Sequence, residues 1–185
     1  YVVSTLRPRL LERTVLEAFS QERDQLVLRF SGLDDALIIS CDKVLNVSYF
    51  RPNFSRARTN SVNVLSRCVE QTITGLSMHP VDRVIMFQFR SGERLDVRFF
   101  GGKANVVLVN GDDKILDAFK DAKNLVGTKA DYRSGEVVYD IDSLRARLAR
   151  PQLATIATVM KEEFPTLGAT LVKEDLHRAC VTINV

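Results

Sequence analysis

The sequence predicts an α+β protein in which two antiparallel sheets form a β-sandwich with flanking helices, followed by a small helical hairpin region. Three observations predict it. Residues 82–119 hold four consecutive strand-like runs joined by short turns, residues 14–50 hold a second such series, and from residue 143 the apolar spacing becomes helical. The expected organisation is a sandwich domain over residues 1–120, a connection over 121–141 and a helical region over 142–185, the start of a further domain.

Taken in order, Val2, Val3, Leu6, Leu10 and Leu11 are spaced for an amphipathic helix over residues 1–13, with Pro8 requiring either a first-turn position or a break. Strands are expected at 14–19, 25–30, 36–39 and 45–50. Between the two meanders, Ala57, Val62, Leu65 and Val69 have helical spacing with no Gly or Pro among them, which predicts a helix over 56–69. The run Val84-Ile85-Met86-Phe87-Gln88-Phe89 is β-branched and aromatic, the composition of a buried strand. After the turn Arg90-Ser91-Gly92-Glu93, the residues Leu95, Val97 and Phe99 alternate with Arg94, Asp96 and Arg98, which predicts one face in the core and one in water. Gly101-Gly102 breaks this pattern, residues 105–109 resume it, and Asn110-Gly111-Asp112-Asp113 turns the chain into a last strand at 114–119. Beyond a polar connection containing Gly127 and Gly135, helices are expected at 143–149, 152–164 and 168–181. Asp142 can cap the first, Pro151 marks the break before the second, and Pro165-Thr166-Leu167-Gly168 makes a tight turn into the third.

Composition narrows the function classes. With 45% hydrophobic and 26% charged residues among 185, the chain has the make-up of a globular protein of one domain, or one domain and the start of another. No apolar run approaches the roughly 20 residues of a membrane helix and no signal peptide is visible at Tyr1, so a cytoplasmic, non-membrane protein is expected. The missing initiator Met and the abrupt end at Val185 are the pattern of a fragment. Cys41, Cys68 and Cys180 are odd in number and far apart, which predicts free, mostly buried thiols. His79 and His177 have no second ligand at metal spacing, so neither metal nor cofactor is expected.

No catalytic motif is present: there is no GxSxG, no phosphate-binding GxxxxGK[ST], and Asp112 and Asp113 fall in a turn that they are better placed to cap. A non-enzyme is expected. The net charge of +3 is modest, so nucleic-acid binding must rest on where charge lies. Arg51, Arg56, Arg58 and Arg67 fall between Phe50 and Val69 with no acid among them, whereas Arg145, Arg147 and Arg150 are diluted by Asp140 and Asp142.

Asp82-Arg83-Val84-Ile85, then Phe100-Gly101-Gly102-Lys103-Ala104-Asn105-Val106-Val107-Leu108-Val109, then Ile115-Leu116-Asp117-Ala118 follow one another in an order and spacing that resemble the NFACT-N domain. That domain begins the ribosome-quality-control factors, often called fibronectin- or fibrinogen-binding proteins. Pro52-Asn53-Phe54 resembles the family's segment before a helix, and the Arg-rich stretch after it suits a divergent branch. Phe164-Pro165-Thr166-Leu167-Gly168 with Leu171, Glu174, Arg178 and Ala179 resembles the opening of the family's helical middle domain. The resemblance implies a fold similar to the N-terminal domain of formamidopyrimidine-DNA glycosylases, and binding of tRNA or the large ribosomal subunit. Those glycosylases need a terminal Pro nucleophile with an adjacent Glu, and Tyr1-Val2 supplies neither.

Each candidate residue has two readings. Asp82-Arg83 is either an edge turn or, as the resemblance implies, part of a surface that engages RNA, with Arg83 suited to paired contacts with phosphate or a base edge. Gly101-Gly102-Lys103-Ala104-Asn105 is either a bulge or corner, or a loop that lets backbone approach a phosphate that Lys103 neutralises. Arg51, Arg56 and Arg58, interleaved with Tyr49, Phe50 and Phe54, make either a solvated segment over core aromatics or an RNA-backbone patch with stacking groups. Lys161, Lys173 and Arg178 are weaker phosphate candidates. The expected function is therefore a non-enzymatic RNA-binding module. The alternatives are an adhesin that binds an extracellular-matrix protein and, least favoured, a glycosylase-like nucleic-acid enzyme.

Overall fold

A computed structural model describes residues 2–43, 45–132, 141–149, 155–164, 172–173 and 176–177. The chain forms two compact units, Tyr1–His79 with Arg83–Asp131, and Pro80–Asp82 with Tyr132–Val185. The first unit opens with helix α1, Val2–Leu10, and holds ten strands: β1 Val15–Ser20, β2 Gln25–Phe30, β3 Ala36–Cys41, β4 Asn46–Arg51, β5 Val62–Asn63, β6 Ile73–Met78, β7 Val84–Phe89, β8 Arg94–Arg98, β9 Asn105–Val109 and β10 Ile115–Ala118. They make two antiparallel five-stranded sheets, ordered β4-β3-β2-β1-β5 and β10-β9-β8-β7-β6.

The core follows from period-two patterning. Leu26, Leu28 and Phe30 of β2 and Leu37, Ile39 and Cys41 of β3 meet Ile85, Phe87 and Phe89 of β7, Leu95 and Val97 of β8, and Val106 and Leu108 of β9 in one buried cluster. Leu6 and Leu10 of α1 join it, while Val2 and Leu11 stay exposed. Pro8 lies inside α1, two residues before its end, neither in the first turn nor at a break: the helical bonding runs past it, with Leu11 N–H donating to the Arg7 carbonyl at 3.0 Å. The outer face of the first sheet is also apolar. Phe19, Val27, Ala36 and Ile38 form a second cluster with Phe54, because the chain after β4 folds back across that face.

Two tethers join the sheets. At one end the chain leading into β1 interleaves with the chain leading into β6: Glu12 N–H donates to the Ile73 carbonyl at 2.8 Å, and Ile73 N–H donates to that of Arg13 at 2.9 Å. Thr14 and Thr72 share a hydroxyl hydrogen bond of 3.0 Å beside them. At the other, Lys120 Nζ donates to Asp24 Oδ1 at 3.0 Å and to the Cys41 carbonyl at 2.8 Å.

The predicted sandwich is present, with several corrections. Each sheet has five strands rather than four, since β5 and β6 join the expected ones. β6 carries Gly75 and a register shift between Ile73 and Gly75, which hide its alternation. The helix expected over 56–69 does not form. Val62 is 64% exposed and pairs with Ser20 in β5, while Asn60 and Leu65 adopt positive φ values of 60° and 50°, outside any right-handed helix. Gly101–Lys103 is a 3-10 turn rather than a bulge. The face of β8 expected in water is not there, for Asp96 is 0% exposed. The turn forms where predicted, but Asn110 rather than Asp112 or Asp113 caps it: Asn110 Oδ1 accepts from the N–H groups of Asp112 and Lys114.

Ala122–Leu125 forms the short helix α2 inside the expected connection. In the second unit, α3 runs Ile141–Leu148 and α4 runs Ile156–Glu163. Asp142 lies within the first turn of α3 rather than before it, paired with Arg145 at 3.2 Å. Thr155 caps α4 by accepting from Thr158 N–H at 3.3 Å. Of the helix expected at 168–181, the described residues 172–173 and 176–177 are helical, and the turn before it lies outside the described residues. Among the described residues, Cys41 and Cys68 are free and buried. Burial pushes their thiols up to about 11 and about 12, so both are poor nucleophiles at neutral pH.

Candidate nucleic-acid interface

The residues singled out in the sequence fall at two places on the sandwich. Arg83 leads into β7, Lys103 ends the turn between β8 and β9, and Asn105 opens β9. The pairings Val84 with Arg98 and Arg98 with Asn105 place all three at one end of the second sheet. Lys120 lies at the same end, and its bonds to Asp24 and Cys41 tie that end to the β1–β2 turn. Gln21, in that turn, accepts the Ala57 N–H through Oε1 at 2.9 Å, which puts Arg58 beside it. Arg51 is elsewhere. It pairs across from Ala36, at the opposite end of β3 from Cys41, so about 20 Å of strand separates it from the β3–β4 turn. Asp82 is half-buried and belongs to the second compact unit.

Ionic partnering divides the cations into two groups. Arg56 is committed to the fold: its guanidinium lies 4.5 Å from the centre of the Phe19 ring, Nε donates to Ser61 Oγ and Nη2 to Asn63 Oδ1, both at 2.7 Å, and Glu17 is 3.7 Å away. Arg67 pairs with Glu93 and Arg90 with Glu12, each at 2.9 Å, and Arg9 pairs with Asp35. By contrast Arg58, Arg83 and Lys103 are exposed, and among the described residues no acid or other side-chain partner holds them. Arg51 is exposed as well, with its guanidinium 5.2 Å from the centre of the Phe54 ring as its side-chain contact.

Asn105 has a different part. It is 7% exposed; its Nδ2 donates to the Lys120 carbonyl at 2.8 Å, and its Oδ1 accepts from the N–H groups of Val106 at 2.8 Å and Lys120 at 2.9 Å. All its hydrogen bonds here serve the backbone, so it fastens the start of β9 to the Lys120 segment and turns nothing toward solvent. Sequence reasoning missed Lys120, whose only signal was a cation directly after the last strand. Among the described residues no three His, Cys, Asp or Glu side chains are gathered as a metal would require, and no helix is long and apolar enough to cross a membrane.

No protein-family model matches the chain and no curated protein is significantly similar in sequence. Its architecture is that of the N-terminal domains of fibronectin-binding proteins. It is similar to the N-terminal domain of the fibronectin-binding protein PavA from Streptococcus pneumoniae, with a TM-score of 0.76 at 18% identity over 97% of this chain and 77% of that one. It is also similar to the N-terminal part of the fibronectin/fibrinogen-binding protein from Streptococcus suis, with a TM-score of 0.63 at 16% identity over 97% and 80%. A third likeness is to the fibrinogen-binding protein from Staphylococcus aureus, with a TM-score of 0.56 at 13% identity over 98% and 80%. At such identities the likeness establishes the fold.

Proposed function

We propose that the chain is a non-enzymatic RNA-binding module, a divergent NFACT-N domain that works in the cytoplasm on tRNA or the large ribosomal subunit. The observation that supports it is the set of exposed cations without acidic partners, Arg58, Arg83 and Lys103 toward one end of the sandwich and Arg51 toward the other. Cations left free in this way are available to phosphate, while most of the described arginines nearby are neutralised within the fold. The fold agrees with the motif resemblance in Asp82-Arg83 and Phe100–Val109.

The test is binding of the chain to labelled bulk tRNA across a salt series. Affinity is expected to fall steeply with salt, and the combined variant Arg51→Ala, Arg58→Ala, Arg83→Ala and Lys103→Ala to lower the log–log slope by roughly 0.7 to 0.9 for each phosphate that the protein no longer neutralises. An unchanged slope, or no binding at low salt, would sink the proposal. The names of the similar structures favour a second reading, a module that binds fibronectin or fibrinogen. Binding to either protein that varies little with salt and survives the combined variant would support that one instead.

A further inference from the structure

Two open sheets have four edge strands, and this protein protects three of them. β5 is two residues long. β6 is bonded at its start by the chain leading into β1 and is interrupted by its register shift. β10 has four residues and a register shift between Ile115 and Asp117. Its outer side is bonded by the following chain, with Ile115 N–H donating to the Thr128 carbonyl at 2.9 Å and Gly127 N–H to that of Ile115 at 2.8 Å. Short length, bulges and covering segments are how native sheets prevent edge-to-edge pairing.

β4 has none of these. It is six residues long and pairs with β3 in unbroken register from Ala36 opposite Arg51 to Cys41 opposite Asn46. It contains no Pro, Lys or acid. Among the described residues its outer side makes no backbone hydrogen bond. Just before it Leu45 is 58% exposed, and within it Tyr49 is 41% exposed; with Val47 between them, the three alternate onto one face.

We propose that β4 is a self-association edge, pairing antiparallel with β4 of a second copy to give a continuous ten-stranded sheet. Side chains directly opposite share a face, so the two cores stay on one side only if odd-numbered residues meet odd-numbered ones. Centring the pair on Ser48 meets that condition. It sets Val47 across from Tyr49 of the second copy, a favourable β-branched and aromatic pair, and covers each Leu45 with the aliphatic stem of Arg51. The only charge in the strand then faces no charge, so no like-charge repulsion opposes the pairing. Centring on Tyr49 would instead leave Leu45 opposite Asn53, beyond the strand. Self-complementarity of this kind is what a two-fold interface demands.

Sedimentation velocity on the whole chain from low micromolar to sub-millimolar concentration tests it. A concentration-dependent dimer is expected, weakened at least about tenfold by Tyr49→Lys, which places a charge at the edge. Ser48→Cys supplies an independent arm, since opposed β-carbons about 4.5–5.5 Å apart can form a disulfide with little backbone movement. In a Cys180→Ser background, mild oxidation should cross-link Ser48→Cys, and neither the parent chain nor Leu16→Cys, which places an exposed thiol on β1. A monomer at every concentration would overturn the proposal and leave the edge to a strand from a different protein. So would a dimer indifferent to Tyr49→Lys, or equal cross-linking of Leu16→Cys and Ser48→Cys.

Discussion

Replacing Asp96 with Ala is expected to cost about 3–5 kcal/mol of folding free energy, the range for removing one partner of a buried ion pair. Asp96 is 0% exposed and receives Arg94 Nε on both carboxylate oxygens, at 3.0 and 3.1 Å. Burial alone would pull the Arg94 guanidinium down, but Asp96 and then Asp113 more than offset it and hold the group above its usual value. With Asp96 gone, only Asp113 at 2.7 Å remains of these two, and its side chain is 45% exposed, hence well screened by water. Urea denaturation measures the loss. A cost below about 1 kcal/mol would show that the pair is dispensable. The double replacement Arg94→Met with Asp96→Leu should recover much of the stability, because it removes the buried pair together and deprives only Asp113, which water already reaches, of a partner.

Asn105→Ala is expected to cost about 2–4 kcal/mol, because it abandons two N–H groups and a carbonyl at a site that is 7% exposed. The three costs are not additive, since Lys120 can shift once it is released. Tethering is lost as well: Asn105 holds the backbone of Lys120, whose Nζ reaches Asp24 and Cys41. A positioning role and an RNA-contact role make different predictions. If Asn105 only holds the Lys120 backbone, tRNA affinity per folded molecule is preserved at temperatures where the variant is fully folded. Loss of affinity there without loss of stability would make Asn105 a contact residue and overturn the role assigned to it.

Patterns that depend on near neighbours were legible in the sequence, and those that depend on distant ones were not. Val84–Phe89 declares itself a strand because β-branched and aromatic residues dominate six consecutive positions. Asp96 could not be placed, because a period of two separates the faces of a strand without saying whether the second face is covered. Spacings of five, three and four among Ala57, Val62, Leu65 and Val69 suggested a helix, but such spacings also arise by chance in loops, and the backbone bonds of β5 decided the matter. In the candidate site, Arg58, Arg83 and Lys103 were legible as exposed cations, while Arg56 was not separable from them. Its partners Glu17, Phe19 and Asn63 are reached only through the fold.

The two tethers between the sheets bear on the order of assembly. Most strands pair with their neighbours in sequence, so the main ladders close through short loops at little entropic cost. Thr14 and Thr72 are 58 residues apart and Asp24 and Lys120 are 96 apart, so these contacts close far longer loops than the ladders do and gain least from forming early. Docking of preformed sheets is thus the expected late event, and loosening either tether should speed unfolding while leaving refolding nearly unchanged. Chevron kinetics of Thr72→Ala and Lys120→Met would show this as φ-values near zero, and values near one would place the tethers in the nucleus.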